Sequence, residues 1–519
     1  MKGVEVHGGL HVLHEETRGA SCSYFCVPIP GGFGGVSIVS VLHPPFFSAF
    51  FGDAEKERHM LPMHKKIPET GIYDARALGA PKMLVLGIQH MFAMFGATVL
   101  VPALTGLSVS ATLLFAGLGT LLFHLLAKGK VPAFLGSSFA FIGGYQAIAP
   151  MLPDASGELT VANLELLPYA CFGVACAGLL YVILSALFKA FGTKKVMRFF
   201  PPIVTGPVII CIGLTLSSSA INNCQANWWI ALVAIAVVVV ANIFGKGMIK
   251  IIPILLGVVA SYVVAALTGN VDFTAVKEAD WIGLPFRWGN TVFGLFGRDS
   301  LDPSMLITAA VTIMPLALAT MVEHIGDMCA ISSTCGRNYL ADPGLHRTLL
   351  GDGLATSLAS LFGAPANTPY GENTGVLALS KVYDPRVIRI AAVLAILFSF
   401  SPKFEALVAA MPAATMGGVS MILYGMISAV GVRNVVENKV DFTKSRNVLI
   451  AAIIMVLSIG ISYSAIGAVK FTVGSVNISL SGLAVGAVVG ILLNAILPGK
   501  DYEFGSDDQG DKSVNFIVQ

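Results

Sequence analysis

The chain has 519 residues, of which 55% are hydrophobic and only 12% charged, with a mean hydropathy of +0.79 and a net charge of +2. Soluble domains carry about a quarter charged residues, so this composition is that of a polytopic membrane protein. The small net charge offers nothing to nucleic acid. The eight cysteines contain no CxxC pair, which argues against a disulfide framework or a zinc site.

No Walker A loop, HExxH or GxSxG occurs, which argues against an ATP-driven pump and the commoner hydrolases. The expectation is a carrier that is not an enzyme and needs no cofactor or metal. Residues 1–62 are rich in Gly, Pro, His and charge. They lack the basic start and compact apolar core of a signal peptide. Residues 1–80 therefore read as an N-terminal extension, disordered in its first part, with Met60 or Met63 as alternative starts and no function assigned.

A helix needs about 20 apolar residues to cross a bilayer. From Lys82 onward, candidate spans lie near 83–104, 109–127, 138–150, 168–190, 202–218, 226–245, 249–268, 304–327, 345–362, 371–382, 386–401, 405–430, 447–464 and 477–497. That makes fourteen, of which 138–150 and 371–382 are too short to span as helix alone. With the N-terminus inside, 23 of the 28 Lys and Arg residues from position 64 onward fall on the inner side. This bias predicts cytoplasmic termini at the cytoplasmic membrane.

An internal echo recurs at a fixed offset. Gln89-His90 precedes Glu323-His324 by 234 residues, as Gly117 and Gly119 precede Gly351 and Gly353, and as Ser138 precedes Glu372. Later the offset becomes 210, with Pro202 and Thr205 before Pro412 and Thr415. Two halves of seven spans must be inverted relative to each other. Inverted repeats with short, Gly/Pro-interrupted segments at matching positions mark secondary transporters. The expected division is an extension over 1–80, repeats over 81–270 and 304–498 joined by an extracellular loop at 271–303, and a cytoplasmic tail from 499 to 519.

The short segments are VPAFLGSSFAFIGGYQAIAP, 131–150, and GAPANTPYGENTGVLALSKV, 363–382. Each opens on Pro and small residues, which predicts a short extended strand leading into a half-helix. A half-helix N-terminus near mid-membrane offers backbone N–H groups and positive dipole to carbonyl oxygens or anions. Two ordinary re-entrant kinks are the alternative.

Glu372 falls in the first turn of the second half-helix, and a carboxylate at that depth costs about 2.5–3.5 kcal/mol on insertion scales. Glu323 sits in MPLALATMVEHIGDMCAIS with Asp327 four residues on, hence on the same helix face. Such a pair can load and release a proton and can accept a hydrogen bond from a ring N–H. Alternative readings stay open. Glu372 could serve as a cap alone, and Glu323 could be a structural acid bonded to His90 or a hydroxyl. Asp327 and Asp352 could be structural, and His90 and His324 core histidines bonded to backbone.

Five stretches carry a family resemblance: GIQHMFAMFGATVLVPAL, KGKVPAFLGSSFAFIGGY, ATMVEHIGDMCAIS, ADPGLHRTLLGDGLATSLASLFGAPANTPYGENTGVLALSKVYDPRV and LYGMISAVGVRNVVENKVDF. Over about residues 80–500 the chain resembles the nucleobase–ascorbate transporter (nucleobase:cation symporter-2) family, most nearly its bacterial uracil permeases. The resemblance implies an all-α fold of fourteen segments in two inverted repeats, core and gate domains, and proton-coupled uptake. It also implies substrate contacts through Glu323, Glu372, the backbone N–H groups of Phe139 and Gly371, and the Phe139 ring. Proton coupling falls to Glu323 and Asp327.

Family members that carry purines have glutamine where Glu372 stands. A glutamate accepts two N–H donors, whereas glutamine brings one donor and one acceptor. Asp327 departs from the uracil branch, where a histidine stands at this place, so a xanthine or urate permease is the second reading. An anion transporter of shared architecture is a third, disfavoured by two acids with no Lys or Arg at mid-membrane. The expected partners are a nucleobase, protons, the bilayer and a second copy in a homodimer, with no nucleic acid.

Overall fold

The computed structural model describes residues 14–17, 20–23, 71–153, 159–297, 301–474 and 476–499. In the chain's first unit, strands β1 (His14–Thr17) and β2 (Ala20–Ser23) pair antiparallel. The expectations for the rest of residues 1–70 and for the tail after 499 lie outside the described residues.

The second unit is mostly helical. Helices α1 (Ala80–Thr105) and α2 (Val109–Leu126) are followed by strand β3 (Leu135–Ser137), a 3-10 turn at Phe139–Phe141 and the short α3 (Ile142–Ile148). Next come α4 (Leu167–Phe191), α5 (Pro202–Gln225), α6 (Trp228–Phe244) and α7 (Pro253–Leu267). After the 271–303 segment run α8 (Pro303–Ile313), α9 (Leu316–Cys335) and α10 (Leu345–Leu361). Strand β4 (Asn367–Pro369) then leads into α11 (Gly371–Ser380), α12 (Pro385–Ser399) and α13 (Pro402–Ala409). The chain closes with α14 (Ala413–Glu437), α15 (Ser445–Ser462), hairpin β5–β6 (Ala468–Val473, Val476–Ser481) and α16 (Gly482–Ile496).

Helix boundaries follow local chemistry. Ser108, Asn227, Asp302, Asp384, Ser401 and Ser481 cap their helices with a side-chain oxygen. Gly106 and Gly336 close α1 and α9 in the left-handed conformation. Among the described residues, seven helices are long and apolar enough to cross a membrane, counting α8 and α9 as one of 33 residues, or eight if the α12–α13 pair is one span.

Several spans differ from the sequence reading: the one expected at 202–218 runs on to Gln225, and the one at 477–497 opens in strand β6 and is helical only from Gly482. The apolar run expected at 405–430 is split: α13 turns away from α12 by 88°, and α14 begins only after Pro412 and ends at Glu437. Proline at 402 and 412 starts helices but cannot continue one, which hydropathy alone does not register. The span expected at 304–327 continues to Cys335, where Gly336 closes it in the left-handed conformation.

The helices pack in two groups. In the first, α12 lies on α2 and α10 lies on α4, with α1, α3, α8, α9 and α11 around them. In the second, α14 crosses α5, α6 lies on α7, and α15 lies on α16. Small residues bring the backbones together where lipid gives no hydrophobic drive. A Cβ on Gly178 would lie 2.6 Å from the Gly353 carbonyl oxygen, and one on Gly353 would lie 2.7 Å from that of Gly178. Any larger side chain there separates α4 from α10.

The segment before α1 is strapped to the first group. Ile72 bridges Val382, the Ala75 N–H donates to Asp384, and both Arg76 and Arg386 pair with Asp74. The Arg76 hydrogen bond holds the Asp74 carboxyl at about 2.

Candidate substrate site

β3 and β4 pair antiparallel, with Leu135 opposite Pro369, Gly136 opposite Thr368 and Ser137 opposite Asn367. Two further bonds extend the ladder, from Ser138 N–H to the Ala366 carbonyl (2.8 Å) and from Tyr370 N–H to that of Phe134 (3.0 Å). The ladder satisfies backbone that would otherwise be unpaired inside the membrane. Threonines tie both strands to the helices before them. The Thr120 hydroxyl accepts from Leu135 N–H at 2.9 Å, and that of Thr356 accepts from Asn367 N–H at 3.1 Å.

Tyr370 locks the crossing. Its hydroxyl lies 3.0 Å from both Ser137 Oγ and the Ser137 carbonyl, to which it donates. Its ring fills the space over Gly136, where an added Cβ would come within 2.3 Å of it. Sequence reasoning passed over Tyr370, Thr120 and Thr356.

Each strand therefore delivers a half-helix start beside the ladder. Neither start has a side-chain cap: Ser138 and Tyr370 occupy the N-cap positions without bonding the first-turn amides. The buried Ser138 hydroxyl has no hydrogen-bond partner among the described residues. Gly371 and Gly375 face open space, with no atom within 4 Å of an added Cβ.

Glu372 lies in the first turn of α11, its carboxylate against its own backbone N–H. Glu323 and Asp327 project from α9, and Glu323 Oε2 and Asp327 Oδ2 are buried without a hydrogen-bond partner among the described residues. These three carboxylates and Asp352 on α10 lie close enough for their charges to act on one another. Phe139 and Gly371, at the two half-helix starts, complete the residues expected from sequence. Phe139 meets the Tyr424 ring of α14 edge-on, with centroids 5.8 Å apart. The turn carrying Gly326 faces the second group, with Ile209 and Asn434 3.6 and 3.8 Å from an added Cβ.

The histidines find side-chain partners, contrary to the backbone bonding expected of them. His324 Nδ1 lies 2.8 Å from Asp352 Oδ2, and both side chains are fully buried. The Asn373 amide donates to the His90 carbonyl at 3.0 Å and lies 3.2 Å from its ring nitrogen. The structural role read for Asp352 thus has a concrete form, and His90 joins α1 to α11. Adjacent residues of α9 divide the work: His324 turns into the first group, while Glu323 and Asp327 keep open oxygens. The arrangement offers two backbone donor ends, acceptor carboxylates and an aromatic face, which suits a small planar molecule bearing both carbonyl and N–H groups.

Residues 81–467 match the Permease family. The chain is 40% identical over 444 residues to the uracil permease of Bacillus caldolyticus, covering 83% of this chain and 95% of that one. It is 39% identical over 424 residues to the uracil permease of Bacillus subtilis (strain 168), covering 79% and 91%. With the putative pyrimidine permease RutG of Escherichia coli (strain K12) it shares 36% identity over 426 residues, covering 80% and 89%.

Among solved structures, murine Solute Carrier 26 family member A9, an anion transporter in the inward-facing state, aligns with a TM-score of 0.55 at 12% identity, covering 85% of this chain and 73% of that one. Another structure of SLC26A9 aligns at 0.58 and 12%, covering 82% of this chain and 66% of that one. These likenesses are of fold alone. The matched family and the high identity along most of the chain make this multi-pass membrane protein a member of that permease family, the nucleobase–ascorbate transporter (nucleobase:cation symporter-2) family.

Proposed function

We propose that this chain carries a nucleobase, uracil before xanthine, into the cell across the cytoplasmic membrane together with protons. The observation that carries the reading is the pairing of two uncapped half-helix starts with unpartnered buried carboxylates, in a chain similar to uracil permeases. Uracil presents two ring N–H donors and two carbonyl acceptors. Glu372 and Glu323 accept from the N–H groups, the backbone N–H groups of Phe139 and Gly371 donate to the carbonyls, and the Phe139 ring packs on the base. Xanthine is the alternative, favoured only by the aspartate at 327. Displacement of radiolabelled uracil from the purified protein decides between them: unlabelled uracil should displace it at lower concentration than xanthine, and the reverse order would reassign the substrate.

Proton coupling falls to Glu323 and Asp327. Asp327→Asn should flatten the pH dependence of uptake more than it weakens uracil binding. An unchanged pH profile would move the proton to Glu323 alone.

The proposed architecture is two inverted repeats of seven segments, 81–270 and 304–498, joined by the loop 271–303 and flanked by the extension 1–80 and the tail 499–519. Helix pairing supports it. Exchanging the halves turns the α2–α12 pair into α10–α4, turns α6–α7 into α15–α16, and returns α5–α14 to itself. With both termini cytoplasmic, Glu278→Cys, at an exposed position, should react with an impermeant maleimide from outside and Lys439→Cys only from inside. The opposite pattern would invert the topology.

A further inference from the structure

Away from the carboxylates, a cleft of about 570 Å³ runs along the surface where the two helix groups meet. Leu184 and Leu187 of α4 and Leu318 of α9 line it from the first group, and Val488 and Leu492 of α16 from the second. Its floor is the 193–200 connector, which joins α4 to α5 and contributes Phe199 together with Lys195, the one charged residue of the lining. Leu187, Phe199 and Leu492 are each more than 40% exposed, so the cleft opens sideways to the surface rather than into the carboxylate site.

Its basic end is unopposed. Lys194, Lys195 and Arg198 are exposed within five residues, and none forms an ion pair among the described residues. The chain has no Asp or Glu from 166 to 271, so the flanking sequence supplies no balancing acid. An apolar slot of this kind does not hold water, and basic pockets between membrane helices attract anionic headgroups.

We propose that the cleft is a binding site for an anionic phospholipid. One acyl chain lies along Leu184, Leu187, Leu318 and Val488, and the phosphate sits against Lys195 with Lys194 and Arg198 beside it. Such a lipid touches both helix groups and the connector at once, so it acts on their spacing without approaching the substrate groups.

The full-length protein tests this in mixed micelles. Leu492→Trp places a reporter on the cleft wall, and its fluorescence above that of the unsubstituted protein is followed as acyl-brominated phosphatidylglycerol or phosphatidylcholine is added. At equal mole fraction, phosphatidylglycerol should associate at least about fivefold more strongly. The combined Lys194→Gln, Lys195→Gln and Arg198→Gln variant should lose that preference. The unsubstituted protein should also melt at higher temperature with phosphatidylglycerol than with phosphatidylcholine, a readout that needs no variant. Equal quenching by the two lipids, or a preference that survives the triple variant, would overturn the proposal. A preference that appears only after residues 501–519 are removed would overturn it too, since Asp501, Glu503, Asp507, Asp508 and Asp511 would then be the occupants of the basic end.

Discussion

Glu372→Gln should weaken uracil binding about tenfold to more than a hundredfold while leaving the empty carrier nearly as stable as before, because one unpaired buried polar group costs about 1–3 kcal/mol, and more when charge is involved. The substitution keeps the length of the side chain and one acceptor oxygen. It removes the charge and turns a donor toward the ring N–H that Glu372 is proposed to receive. Stability should change little because Glu372 tops a half-helix whose start faces open space at Gly371, not packed core. Titration calorimetry of the purified variant, paired with its melting temperature, measures both. Normal uracil affinity with easy unfolding would make Glu372 a structural residue.

Asp352→Ala should do the reverse and compromise the fold before the binding. His324 and Asp352 meet at 2.8 Å with both side chains fully buried. Leaving a buried polar group without its hydrogen-bond partner costs about 1–3 kcal/mol, and more when charge is involved. The loss falls on the contact between α9 and α10, and α9 also carries Glu323 and Asp327. Asp352→Asn keeps an oxygen for the His324 ring N–H and should lose much less. Size-exclusion profiles after graded heating compare the three proteins. An Asp352→Ala protein as heat-stable as its parent would show that the pair contributes nothing to the fold.

These two carboxylates also mark what the sequence could and could not reveal. The half-helices were legible because proline and small residues before Phe139 and Gly371 cannot sustain a helix, and a membrane tolerates such backbone only when protein buries it. The acids were legible because Glu323, Asp327 and Glu372 stand in runs with almost no other charge. What stayed hidden depends on which way a side chain turns. Glu323 and His324 are neighbours in sequence, yet one keeps an open oxygen and the other pairs with Asp352, twenty-eight residues away.

Tyr370 reads as one more aromatic before a glycine. Only the antiparallel register of β3 and β4 shows its hydroxyl bonded to Ser137 across the ladder. The split between α13 and α14 was missed for a different reason. Leucine, alanine and methionine keep the hydropathy high across Pro412, although α13 ends at Ala409 and α14 starts at Ala413.

The central claim is proton-driven uptake of uracil, and purified protein in sealed liposomes tests it most directly. With the interior buffered more alkaline than the outside, radiolabelled uracil should accumulate above its external concentration. A protonophore should abolish the accumulation, and a sodium gradient at equal pH should not support it. Xanthine should compete more weakly than unlabelled uracil. Accumulation driven by sodium alone, or uptake of xanthine in preference to uracil, would contradict the account.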